Sequence, residues 1–249
     1  GYSELVTRCA SQQNSTRCRG GSNPGYEEHI YEGTITLPAQ CTDWVLSYGI
    51  CCRNSAITNL SNPGSRDLYV EARLNNTISP CDNSPIFSTK PVPFVCVGQQ
   101  TFYNHGAIDI DGDSLVYSII NPLQASGSNI QFTGGANVNN PVRTTGPFQF
   151  DTNTGQMTFT PSQTQNAVVT VLVREYRNGV LIGSTMRDIQ VVVINCASNN
   201  PPMLSGINGT GPQFNGQQAV TTASICGGNP LCFDINFQDP NTNNVLTVT

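Results

Sequence analysis

Apolar and polar positions alternate along much of this chain. In "TVLVREY" (170–176) and "DIQVVVI" (188–194), alternate residues would point to one face, the pattern of half-buried β-strands. Similar runs predict strands at 31–38 ("YEGTITLP"), 43–50 ("DWVLSYGI") and 67–74 ("DLYVEARL"). Later runs predict them at 155–161, 167–176 and 187–196, and a further strand follows the acidic stretch "DIDGD". Between two of these strands lies "RNGV" (177–180), whose Asn178-Gly179 pair favours a type I′ turn and so a β-hairpin. No helical period emerges. The expected fold is all-β, as β-sandwich domains in series.

Composition strengthens this reading. Only 11% of the 249 residues are charged, while Gly (23) and Pro (16) supply turns. A typical soluble domain has about 25% charged residues, so Asn, Gln, Ser and Thr must cover much of this surface. A net charge of −5 gives no basic patch for phosphates, which argues against nucleic acid as a partner. No apolar run approaches the ~18–20 residues that span a bilayer, so no membrane span is expected in this segment. The start, "GYSELV", lacks the charged and apolar regions of a signal peptide, which is read as absent or removed.

An internal repeat organises the chain. "VCVGQQTF" around Cys96 returns as "ICGGNPLCF" around Cys226, and "DIDGDSLVYS" from Asp109 returns as "DPNTNNVLTVT" from Asp239, both 130 residues on. The prolines of "STKPVP" (88–93) favour an extended connector. Three regions follow: a disulfide-rich β-domain at 1–90, a second β-domain at 91–197, and the beginning of a further repeat at 198–249. The last has too few strands to close a sandwich, so the chain is expected to be part of a longer protein.

Ten cysteines without a C-x-x-C pair point to disulfides and an oxidising compartment rather than to metal-thiolate chemistry. Cys9 and Cys18 would close a short loop worth roughly 2.5–3 kcal/mol. Cys96 enters the second region and Cys196 leaves it, so their pairing would tie its ends, worth on the order of 4–5 kcal/mol before strain. Cys41, Cys51, Cys52 and Cys81 are expected to form two bridges in an unassigned order. Cys226 would pair with Cys232 or with a cysteine beyond Thr249.

The acidic stretch is the strongest chemical signal. Asp109, Asp111 and Asp113 stand at alternate positions in a chain with only 16 acidic residues. On a strand their carboxylates would repel; in a loop curled around an ion they converge, with Gly112 allowing the turn. Hard oxygen ligands imply Ca²⁺. It is not an EF-hand, because the glycine stands fourth from Asp109 and Ile120 occupies the twelfth position.

"DIDGDSLVYSI", followed by "FDTNTGQMTFTP" (150–161) and a strand ending in an acid, resembles cadherin-like repeats of bacterial surface adhesins. That resemblance implies a cation site at Asp109, Asp111 and Asp113, completed by Glu175, where the family usually has Asp. Asp151, Thr154, Gly155 and Pro161 match the family's midway hairpin. The stretches at 40–60 and 174–196 resemble segments of giant gliding-motility adhesins of Bacteroidetes, of the SprB type, exported by the type IX system. This second resemblance implies an extracellular, cell-surface location and a role in adhesion, with neighbouring repeats and a surface receptor or glycan as partners.

Other candidates have plainer readings. Trp44, the only tryptophan, is expected in a core against a disulfide. His105 is expected at the surface or beside the ion. No G-x-S-x-G, H-E-x-x-H or paired-carboxylate motif appears, so no enzymatic activity is expected. Sequons at Asn14, Asn59, Asn75 and Asn208 are read as coincidence in an Asn- and Thr-rich chain. The expected function is a structural or adhesive segment of a long repeat-built surface protein. The alternative is a carbohydrate-binding accessory module of a polysaccharide-degrading enzyme, which would need Tyr48, Tyr69 or Tyr103 exposed together.

Overall fold

The computed structural model describes residues 2–4, 14–22, 25–89, 91, 94–196, 203–204, 237–239 and 241. The described structure is almost entirely β, with multiple antiparallel sheets and two single-turn 3₁₀ helices at Arg17–Arg19 and Pro63–Ser65. It divides into two compact units, Gly1–Ile194 and Asn195–Thr249.

The first strands of the first unit are β1 (Tyr2–Glu4), β2 (Glu27–His29), β3 (Trp44–Ile50), β4 (Leu68–Leu74), β5 (Ile86–Phe87) and β6 (Phe94–Cys96). Next come β7 (Thr101–Asn104), β8 (Ala107–Ile108), β9 (Ser114–Ile120), β10 (Leu123–Ala125) and β11 (Ser128–Asn129). The last four are β12 (Gln149–Phe150), β13 (Gln156–Phe159), β14 (Gln165–Arg177) and β15 (Val180–Ile194). Asn178 and Gly179 both have positive φ, as a type I′ turn requires, and join β14 to β15 in a long hairpin.

This hairpin organises an eight-stranded sheet. On one side β14 pairs with β9; on the other β15 pairs with β4 over Gly183–Thr185 and, in parallel, with β6 over Val192–Ile194. β3 pairs along the whole of β4. Because β3 and β4 belong to this sheet, the chain does not divide at residue 90. Residues 1–90 and 91–194 share hydrogen-bonded strands, and the division falls after Ile194 instead. The predicted strand at 31–38 is also absent: that segment makes no ladder.

β12, β13 and β7 form a three-stranded sheet, and the main core joins its residues to those of the large one. Ala167, Val169, Val171 and Val173 of β14 and Ile189, Val191 and Val193 of β15 cluster with Tyr103, Met157 and Phe159 of the smaller sheet. A cavity of about 50 Å³ beside Tyr103, Met157 and Phe159 has an almost wholly apolar lining and offers no chemistry. The opposite face of β14 is also covered. Val168 clusters with Ile57, Leu60 and Ile130. Where β9 no longer runs beside β14, the buried Asn59 side chain binds both the N–H and the C=O of Val168, each at 2.9 Å, standing in for a ladder.

In the second unit, β16 (Met203–Leu204) pairs with β17 (Phe237–Gln238). Apart from Asp239 and Asn241, the rest of the expected third region, with Cys226 and Cys232, lies outside the described residues, as does Cys9. Among the described residues no helix is long and apolar enough to cross a membrane.

Candidate metal centre

The loop between β8 and β9 brings the three aspartates of "DIDGD" together. Gly112 has φ +81°, the conformation the turn needs, and the Asp113 N–H donates to Asp109 Oδ1 at 3.0 Å. One oxygen from each of Asp109, Asp111 and Asp113 lies within 4.8 Å of the others.

The fourth predicted acid arrives on the core hairpin. Glu175 continues the inward row Ala167, Val169, Val171, Val173, and it is fully buried. It faces Gly183 across the hairpin, where a Cβ would sit 3.0 Å from Glu175 Oε2, so the missing side chain leaves room for the carboxyl. Neither oxygen of Glu175 has a hydrogen-bond donor. Burial, followed by the charges of Asp82 and Asp109, pushes its pKa up to about 8.

Asp82 is the member that sequence reasoning missed. It comes from the connection between β4 and β5, and its side chain is 1% exposed. One oxygen each of Asp82, Asp113 and Glu175 lie within 4.8 Å of one another, a second trio sharing Asp113 with the first. Ser79 Oγ donates to Asp82 Oδ1 at 3.0 Å, while Asp82 Oδ2 is buried without a donor. In "SPCDNSP" an aspartate reads as a turn former, and no spacing in the sequence connects it to residue 109.

Among the described residues, one cation answers this cluster. Arg177, at the end of β14, donates from Nε to Asp113 Oδ1 (2.9 Å) and from Nη2 to Asp113 Oδ2 (2.5 Å) and Asp82 Oδ1 (2.9 Å). Its Nη1 donates to Ser79 Oγ at 2.5 Å. Arg177 holds the Asp113 carboxyl below the ordinary range, and Asp113 above all raises the guanidinium in return. Asp111 is held low chiefly by Asn83, whose backbone N–H and side-chain amide donate to it at 2.8 and 3.0 Å. The guanidinium thus reaches three of the five carboxylates, Asp82, Asp111 and Asp113. The surplus of hard, anionic oxygens suits Ca²⁺ better than a softer transition metal.

The resemblance hairpin has a local role. Asp151 Oδ1 accepts from the N–H of Asn153 and Thr154, capping the turn between β12 and β13.

Several sequence expectations need correction. Cys18, Cys41 and Cys81 are free thiols, and Cys51 is bonded to its neighbour Cys52. The two bridges among Cys41, Cys51, Cys52 and Cys81 are therefore not what the described structure contains, and the Cys9–Cys18 bridge falls on a residue outside the described ones. Cys41 and Cys51 flank opposite ends of the extended β3, which keeps them from meeting. Cys96 and Cys196 are both disulfide-bonded, and Ile194 lies opposite Cys96 in the ladder. Trp44 is only half-buried at the start of β3, and nearby Cys41 is a thiol that donates to Asp43, so no disulfide packs there. His105 is fully buried instead of superficial. Neither ring nitrogen has a partner, and burial and then Arg187 push its pKa down to about 3. Its ring meets Tyr103 edge-on at 5.0 Å. Asn59, one of the sequons, is buried and its amide is engaged, so it cannot carry a glycan in this fold.

Of the three tyrosines named for a sugar platform, Tyr103 is buried and Tyr69 is half-buried, donating to Glu71. Tyr48 is exposed and packs on Tyr31, 71% exposed, with ring centroids 5.2 Å apart.

Comparison with known protein families, characterised proteins and solved structures finds no match to this chain.

Proposed function

We propose that the chain is a non-enzymatic structural segment of a long, repeat-built bacterial surface adhesin, made of tandem Ig-like or cadherin-like β-domains and ordered by Ca²⁺. The observation that carries the calcium reading is Glu175, fully buried among aspartates with no donor on either oxygen. A bare carboxylate in that position is costly, and a divalent cation would balance it. The ion would tie the 79–83 loop, the β8–β9 loop and the end of β14 into one rigid node. A charge-poor, turn-rich, all-β chain suits a stiff and chemically quiet spacer outside the cell. The resemblance to gliding-motility adhesins supplies the setting: the cell surface, type IX secretion, and neighbouring repeats as immediate partners.

A second reading has one observation in its favour. The exposed Tyr31–Tyr48 pair, with its rings tilted 31° to one another, presents aromatic faces of the kind that stack on sugar rings. It would make the chain a carbohydrate-binding module. Two assays on the purified chain separate the readings. Limited proteolysis with Ca²⁺ or with chelator should show protection of the 79–83 and 109–113 loops only with the ion. A glycan array and hydrolase panel should show no specific signal. Tight glycan binding abolished by Tyr48→Ala would replace the spacer reading.

A further inference from the structure

The spacing of "DIDGD" makes its three aspartates look equivalent, but their hydrogen bonds do not. Both oxygens of Asp111 already accept from Asn83, and Asp111 is the most exposed of the acids bound to Arg177. Both oxygens of Asp113 accept from Arg177. The buried carboxylate oxygens that receive no donor are Asp82 Oδ2, Asp109 Oδ2 and both oxygens of Glu175. These belong to three separate stretches of chain, and Asp82 and Asp109 are the acids whose charges act on Glu175. An oxygen with both lone pairs free and no water-facing side is where a desolvated cation gains most.

Building on the calcium reading above, we propose that the cation sits on the inner side of the cluster, ligated by Asp82 and Glu175 with Asp113 shared with Arg177, the trio whose oxygens lie within 4.8 Å of one another, and that Asp111 is not a ligand. Asp111 is a positioning residue. It holds Asn83 and thereby presents Asp82 from a loop that the acidic motif does not contain. Arg177 closes the outer side and offsets one of the surplus charges.

Terbium luminescence lifetimes count the water molecules bound to an ion in a calcium site, so they distinguish a ligand from a residue that acts through another. The experiment uses the full chain after chelation, with Tb³⁺ and then Ca²⁺ as competitor. Asp82→Ala should admit about one extra water to the bound ion and weaken Ca²⁺ binding at least about tenfold more than Asp111→Ala does. Asp111→Ala should leave the water count at the wild-type value. If Asp82→Ala does not fold by circular dichroism, Asp82→Ser carries the same comparison with a hydroxyl too short to ligate. An extra water in Asp111→Ala, or an unchanged count in the Asp82 variant, overturns this ligand set. A wild-type chain that binds neither Tb³⁺ nor Ca²⁺ overturns the calcium reading itself.

Discussion

Two buried acids on the same hairpin are treated in opposite ways. Asp188, on β15, receives Arg53 through two parallel bonds of 2.9 Å, and the Thr170 hydroxyl donates to it at 2.7 Å. Arg53 is satisfied in turn, donating also to the carbonyls of Asp67 and Leu123. Glu175, on β14, is buried at least as deeply and receives no donor. The protein can therefore neutralise a buried carboxylate with its own side chains, and does so in the interior of the hairpin ladder. Near the turn it gathers four more acids around the unpaired one. Opposite treatment of like groups in one sheet separates a structural pair from a site shaped for something from outside.

The largest expected effect tests the satisfied side. Arg53→Leu leaves Asp188 buried and unpaired, and should cost about 3–5 kcal/mol in urea unfolding. The double change Arg53→Leu with Asp188→Leu should cost much less, because no charge is then stranded. A single variant as stable as wild type would remove the contrast from which the cation argument starts.

A second buried group without a partner gives a pH test. His105 is neutral in the fold and, with its pKa pushed down to about 3, charges only in the unfolded chain below its ordinary value of 6.5. The unfolded state then binds more protons, so the contribution is fully present above pH 6.5 and is lost as pH falls toward 3. The loss should approach roughly 1.4 kcal/mol per pH unit within that window. His105→Phe should flatten the curve there, leaving only the titration of acids. An unchanged slope would mean that the histidine is not buried as a neutral ring beside Arg187 and Tyr103.

The unsatisfied side predicts no loss. In chelator, Glu175→Gln should be at least as stable as wild type, because the amide is neutral at every pH whereas the carboxyl must hold a proton to avoid a buried charge. Loss of stability in chelator would show that Glu175 is already satisfied within the protein. The smallest effect is that of the ion on global stability. At ten times its Kd, Ca²⁺ adds only about 1.4 kcal/mol to wild type by mass action, so its main consequence is local order in the loops.

The strand pattern made much of this legible. Alternation located β3, β4, β13, β14 and β15, and Asn178-Gly179 located the turn that joins the long hairpin. Alternation does not report which strands share a sheet. Leu74 pairs with Trp44 on one side and Gly183 on the other, a contact across more than a hundred residues that erased the boundary expected at residue 90. Nor does it report burial: Leu46, Tyr48 and Ile50 of β3 follow the same pattern as β14 and are exposed, because β3 lies at the edge of its sheet. The acidic loop was legible from spacing, and Glu175 from resemblance. Asp82 was not legible, because its role depends on a loop from another part of the sheet reaching residue 175. The bridges expected among Cys41, Cys51, Cys52 and Cys81 failed for a similar reason. Counting cysteines gives possible bridges, but β3 holds Cys41 and Cys51 at opposite ends of an extended strand.

Calcium titration calorimetry on chelator-stripped protein, wild type beside Glu175→Gln, tests the central claim most directly. The account predicts saturable one-site heat for wild type, with Kd of roughly 10⁻⁴–10⁻³ M, and its loss in the variant. No calcium-dependent heat in wild type, or equal heat in both proteins, would contradict it.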